Sequence, residues 1–181
     1  MTAKLQEPTA FDLLKEIEQR SLATEASLPK DEDKHQWSGV GFRLGDFQYV
    51  APLDEVIEVL PIPRTTRIPG TRPWMLGVVN QRGTLMTVVD LQGFLGRTGA
   101  TDLSRKRLLV VEQQGVYVGV MVDEAMGLRH FDDTEVVEDG LEAEAELAPY
   151  ILGAFERRDV TWRVFSLKRL IGQPEFIQVA Q

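Results

Sequence analysis

The side chains able to make or break bonds are few and scattered in this sequence. Of its two histidines, His35 sits in a polar linker and His130 at a strand end. Neither has a second histidine or a carboxylate at ligand spacing, which argues against a metal site. There is no cysteine, which removes thiolate nucleophiles, disulfides and sulfur-ligated zinc and suits a reducing compartment. A phosphate-cradling glycine loop and a nucleophile-elbow serine are both missing. Glu58, Asp90 and Asp123 could supply a carboxylate pair for acid–base work, but nothing in their spacing brings two of them together. Asp90 also suits a helix cap. Eight acids lie between Asp132 and Pro149 without a single Lys or Arg. They lack the alternating ligands and central glycine of a calcium loop, so they read as a solvated surface connection. This inventory predicts a protein that binds rather than catalyses, with no metal and no cofactor.

One stretch offers a display surface instead. In Gly77-Val-Val-Asn80-Gln-Arg82-Gly83-Thr-Leu-Met-Thr-Val-Val-Asp90-Leu91, two apolar strands flank a polar turn. Asn80 at the first position and Gly83 at the last suit a four-residue turn that presents Arg82 near its tip. Taken by itself, the pattern equally describes an ordinary hairpin with a solvated arginine. Arg64, Arg67 and Arg72 lie in the proline-rich connection from Pro61 to Pro73, a local basic cluster in an acidic chain. Such a cluster either steers an acidic partner or is simply solvated.

The elements that must position these residues follow from composition and pattern. The chain has 181 residues, 43% of them apolar, enough for one domain with a real core. Its formal net charge of -8 repels phosphate backbones and anionic lipid, which disfavours nucleic-acid binding and membrane-surface binding. No apolar run is long enough to span a bilayer, and the first residues lack the apolar core of a signal peptide. These features predict a soluble, cytoplasmic protein without direct membrane insertion.

Thr9-Ala10-Phe11-Asp12 has the form of a capping box, and Ala10, Leu13, Leu14 and Ile17 recur at helical spacing. They predict an amphipathic helix over about 10–26, either a docking helix or one that packs on its own domain. A polar linker follows, so residues 1–36 read as an extension and 37–175 as the domain. From Gly39 the pattern turns to short β-branched segments punctuated by glycines. Val40–Leu44 and Phe47–Pro52 flank Gly45-Asp46 as a hairpin. The pattern suits small antiparallel barrels or a sandwich.

Landmarks recur in the same order along the two halves. Leu53-Asp54-Glu55-Val56 returns as Val122-Asp123-Glu124-Ala125, and Met75-Leu76-Gly77 as Ile151-Leu152-Gly153. Each half closes on a candidate single helical turn, capped by Asp90 in one and by Ser166 in the other. The chain is therefore expected to hold two related β modules meeting near 97–105.

Gly-Val-Val-Asn-Gln-Arg-Gly followed by Val-Val-Asp-Leu resembles the signature of the CheW family, coupling proteins that join chemoreceptors to a chemotaxis histidine kinase. Val56-Ile57-Glu58-Val59 and Val120-Met-Val-Asp123 resemble its flanking strands, and the likeness spans about Val40 to Ile171. Gln81 stands where the family usually has Leu, and Thr87 where it often has Pro. The long N-terminal extension resembles the twitching-motility (type IV pilus) branch, the PilI type; a flagellar chemotaxis role is the alternative.

The resemblance implies a mainly β fold of two SH3-like five-stranded barrels sharing one core, plus the N-terminal helix, and no catalysis. It implies as partners the kinase's regulatory domain and the helical cytoplasmic tip of a methyl-accepting receptor, at membrane receptor arrays. Val56, Val59 and Leu60 would line a slot for that tip, or else be ordinary barrel core. Glu58 and Arg82 would form an ion pair beside the Asn80–Gly83 turn. Gly77 would be a kinase contact needing a small residue, so that Gly77→Asp abolishes kinase binding without unfolding the domain. From another class, a β-barrel binder of nucleic acid or oligosaccharide would want a basic stripe with exposed aromatics, and the composition offers neither.

Overall fold

Alternation of apolar and polar residues around Gly45 closes as the expected hairpin. Strand β1 (Gln36–Leu44) pairs antiparallel with β2 (Phe47–Pro52), register Leu44 to Phe47. The computed structural model describes residues 36–98, 102–137 and 146–177, all within the unit His35–Gln181. The helix expected over 10–26, and His35, lie outside the described residues. The next strands are β3 (Glu58–Pro61), β4 (Met75–Gln81), β5 (Thr84–Asp90), β6 (Arg107–Gln113) and β7 (Val116–Val122). The last are β8 (Glu124–Asp132), β9 (Val136–Val137), β10 (Ile151–Arg157) and β11 (Val160–Phe165). Short helices α1 (Leu91–Phe94), α2 (Leu167–Ile171) and α3 (Pro174–Ile177) follow β5 and β11.

The fold is mainly β, in two sheets: β8-β1-β2-β11-β10-β9 and β3-β6-β7-β5-β4. The first has a sixth strand, the two-residue β9. The sheets do not follow the division expected near 97–105. Hairpin β1–β2 joins the C-terminal hairpin β10–β11 through a parallel pairing of β2 with β11. Hairpin β6–β7 joins β4–β5 through a parallel pairing of β5 with β7. Each half therefore contributes strands to both sheets, a crossing that no local pattern encodes.

The repeat is exact at the level of register. Gly77 faces Val88 after a bulge, as Gly153 faces Val164; Val78 faces Thr87, as Ala154 faces Arg163. Thr87 then lies beside Val118, as Arg163 lies beside Tyr49. Three apolar clusters fill the fold. Val50, Phe131, Phe155, Trp162 and Val164 belong to the first sheet alone. Met86, Val88, Leu108, Val110 and Met121 belong to the second. The largest draws Phe42, Tyr49 and Phe165 from one sheet and Val89, Leu109 and Val120 from the other, with Leu167 and Leu170 of α2. Burying each such large side chain stabilises by roughly 1.5–3 kcal/mol, so this shared cluster holds the two sheets together.

Both expected caps are present. Asp90 accepts the Gln92 amide at 3.1 Å, and Ser166 accepts that of Arg169 at 3.2 Å. The paired acids of the repeat act on the cap of the opposite half. Asp54 reaches Lys168 Nζ at 3.4 Å, and its counterpart Asp123 accepts from Gln92 Nε2 at 2.9 Å. Buried Glu55 accepts from Ser166 Oγ at 2.8 Å and from the Lys168 amide at 3.0 Å. Glu124 has no such role, because the capping residue on that side is a carboxylate; it pairs with Arg43 at 3.3 Å. Asp123 is fully buried, also accepts the Gly45 amide at 2.7 Å, and has Lys106 Nζ 4.0 Å away. Asp90 and Asp123 are thus linked through Gln92, which donates its backbone amide to one and its side-chain amide to the other.

Candidate functional site

Strands β3, β4 and β5 bring Glu58 and Arg82 to one corner of the second sheet. Gln81 and Thr84 are the last paired residues, so the loop is only Arg82 (φ 51°) and Gly83 (φ 88°). Two successive positive φ values make the tight turn whose twist matches that of the flanking strands. Asn80 Oδ1 accepts the Gly83 amide at 2.9 Å and locks it. Arg82 Nη2 lies 3.5 Å from Glu58 Oε1, with the two side chains 78% and 35% exposed. A pair this wet stabilises the fold by less than about 1 kcal/mol. Its guanidinium donors are therefore on display. Glu58, Leu60, Arg82, Thr84 and Tyr117 border a shallow depression of about 160 Å³, with Ile57 on its rim, 57% exposed.

Val56, Val59 and Leu60 do not share one slot. Side chains alternate along β3. Leu60 turns with Glu58 toward the second sheet's own cluster. Val59 sits on the other face, 40% exposed, and Val56, just before the strand, packs on the shared core. Gly77 is buried with φ 132°, at the bulge of β4, and a Cβ there would collide with the Thr66 carbonyl oxygen. Thr66 and Val78 exchange backbone hydrogen bonds of 2.8 and 2.9 Å, and Thr65 Oγ1 donates to the Leu76 carbonyl at 3.0 Å. Gly77 is thus the seat on which the proline-rich connection rests. Arg64, Arg67 and Arg72 are exposed on that pinned connection, and none makes an ion pair among the described residues. His130 is bound to Ser38 Oγ through Nδ1 at 2.7 Å.

The larger concavity lies where the second sheet runs past the shared core. Parallel pairing sets Thr87 beside Val118, and Val116, two residues back on the same face, is 58% exposed. With Val89, Ile171 and Phe176 these residues line a groove of about 440 Å³. Phe176 of α3 forms the far wall. It is buried against Trp74 at 5.4 Å and Phe94 at 5.3 Å between ring centres. An open apolar trough with one rigid aromatic wall fits an amphipathic helix laid along it. The family resemblance led us to expect an apolar groove, but sequence reasoning gave its lining to Val56, Val59 and Leu60 and read Val116–Val122 only as a strand. The Val116, Val118, Val120 alternation was its only local signal, and the opposite wall comes from the far end of the chain.

Comparison with known proteins bears on this geometry. The model of the family described as CheW-like domain matches residues 38–175. The chain is 43% identical over 173 residues to Protein PilI of Pseudomonas aeruginosa, covering 95% of this chain and 97% of that protein. It is 32% identical over 115 residues to Protein FrzA of Myxococcus xanthus, covering 64% of this chain and 71% of FrzA. Its fold is similar to the crystal structure of scaffolding protein TtCheW from Thermoanaerobacter tengcongensis. There the TM-score is 0.67 at 21% identity, over 80% of this chain and 99% of that one.

Proposed function

This chain belongs to the CheW-like family, whose members are scaffold and coupling adaptors, and on that premise we propose that it is a non-catalytic, cytoplasmic adaptor of a type IV pilus chemosensory pathway. It couples the helical tip of a methyl-accepting receptor to the regulatory domain of a chemotaxis-type histidine kinase. The observation that supports this reading most is the open apolar groove of about 440 Å³. The receptor tip lies in the groove against Val116, Val118 and Phe176. The kinase docks on the corner of Glu58, Arg82 and the Asn80–Gly83 turn, with exposed Ile57 as its apolar contact, and Arg64, Arg67 and Arg72 raise its association rate. The similarity to PilI along nearly the whole chain supports the pilus branch over the flagellar one.

An adaptor of this kind transmits signal only through binding energies that differ between the receptor's states. Reconstitution tests the reading, using the full chain with the kinase regulatory domain and a receptor-tip fragment from the same organism. Val116→Asp places a charge in the groove and is expected to lose the tip by tenfold or more while keeping the kinase. Arg82→Glu is expected to weaken the kinase and keep the tip. A chain that binds neither fragment overturns the proposal.

A further inference from the structure

The groove and the corner at Arg82 share one wall. Side chains alternate along a strand, and on β5 the alternation falls between the two sites. Thr87 and Val89 line the groove, while Thr84 and Met86 line the depression beside Arg82. Strand β7 divides in the same way, with Val116 and Val118 on the groove side and Tyr117 on the corner side. The parallel register sets Met86 beside Tyr117 and Thr87 beside Val118. A ribbon of two strands, a single sheet thick, therefore separates the concavities.

Its two faces differ in stiffness. On the groove side Thr87, Val89, Val116 and Val118 are all β-branched, which restricts each at χ1. On the corner side Met86 has an unbranched, adaptable thioether chain. Met86 is buried, and it lies across Gly119 of β7, where a Cβ would stand 3.3 Å from its sulfur. Tyr117 packs against the same apolar cluster. A load on the stiff face is thus taken up by Met86 and felt at Tyr117.

We propose that the β5–β7 ribbon couples the two sites, and that Met86 is the positioning residue through which a helix in the groove readies the corner for the kinase. The inference rests on the groove taking the receptor tip and the corner taking the kinase. A helix pressed on the valines restricts the ribbon, so the kinase has less to order when it docks, and the coupling is positive. By reciprocity the kinase tightens the tip by the same factor.

Titration of the kinase regulatory domain into the full chain, with and without saturating receptor-tip fragment, tests the coupling. The kinase is expected to bind at least about fivefold tighter when the tip is present. Met86→Ile substitutes a β-branched side chain of similar volume and is expected to bring that ratio close to one. Both affinities belong to the same variant, so any loss of kinase binding itself cancels. In the wild type labelled at its methionine methyl carbons, the tip alone is expected to shift the Met86 signal and to leave that of Met126, on the first sheet's cluster, in place. Should Met86→Ile lose its cooperative melt, that signal decides. An unchanged kinase affinity with the tip bound at Val116 and Val118, a ratio retained in folded Met86→Ile, or an unmoved Met86 methyl overturns the inference alone. A chain that binds no tip refutes the helix reading and the coupling with it.

Discussion

Arg82 stands at the rim of its corner, and rim charges act on encounter rate and orientation more than on fold stability. A double-mutant cycle on Glu58→Gln and Arg82→Gln, followed by urea unfolding, is expected to give a coupling below about 1 kcal/mol. A value near 3 kcal/mol would mean that the pair is desolvated, contrary to the 78% exposure of the Arg82 side chain. Gly77 behaves differently. The expectation that Gly77→Asp spares the fold does not survive the collision with Thr66 and a φ of 132°. Backbone strain at such a position costs of order 1–3 kcal/mol, so the variant is expected to melt several degrees lower, measured by circular dichroism. Loss of kinase binding in Gly77→Asp would then reflect a lifted connection as much as a lost contact. A turn carrying Arg82 was legible from side-chain chemistry, but its frame was one residue off: Asn80 and Gln81 are still paired in β4, and the loop is Arg82–Gly83 rather than a turn from Asn80 to Gly83. The role of Gly77 was not legible, because the atom that excludes a side chain belongs to a different segment.

Caps and walls belong to the scale of elements. Asp90 and Ser166 occupy matching positions, yet only Ser166 also donates to a buried carboxylate, that of Glu55. Asp90→Ala should lose a cap, about 1 kcal/mol. Ser166→Ala loses a cap and leaves a buried Glu55 oxygen short of a donor, which adds about 1–3 kcal/mol. Urea titration should rank Ser166→Ala as the more damaging change; equal losses would show that Glu55 is resatisfied by water. The hairpins, most strands and the Asp90 and Ser166 caps were readable, because each depends on residues close in sequence; β9 was not, since it lies in the acidic stretch read as a solvated connection. The slot assigned to Val56, Val59 and Leu60 was not, since β3 turns its alternate side chains to opposite faces and Val56 leaves for the shared core. The lining of the groove escaped notice for a related reason: Val116 and Phe176 meet only after the C-terminal helices fold back on β7.

At the scale of the whole molecule, the two sheets each draw strands from both halves of the chain. Fragments 37–98 and 102–177, expressed separately, should therefore lack cooperative melting transitions. Mixed, they should recover one, because each supplies the strands and cap contacts the other needs. A cooperative melt for either fragment alone would show that the halves are independent modules. The repeat was visible in the order of Asp54-Glu55 and Asp123-Glu124, but which hairpin joins which was not, since the parallel pairings of β2 with β11 and β5 with β7 leave no periodic trace. The same crossing has a bearing on biosynthesis. When β1 and β2 leave the ribosome, the strand that will lie beside β2 is still untranslated by more than half the polypeptide. The hairpin carrying Phe42 and Tyr49 must wait with its aromatic face uncovered until β11 emerges. Long sequence separation of this sort slows folding and exposes aggregation-prone intermediates. Native structure should thus form only once β11 has been made, which makes the protein a candidate client for nascent-chain chaperones.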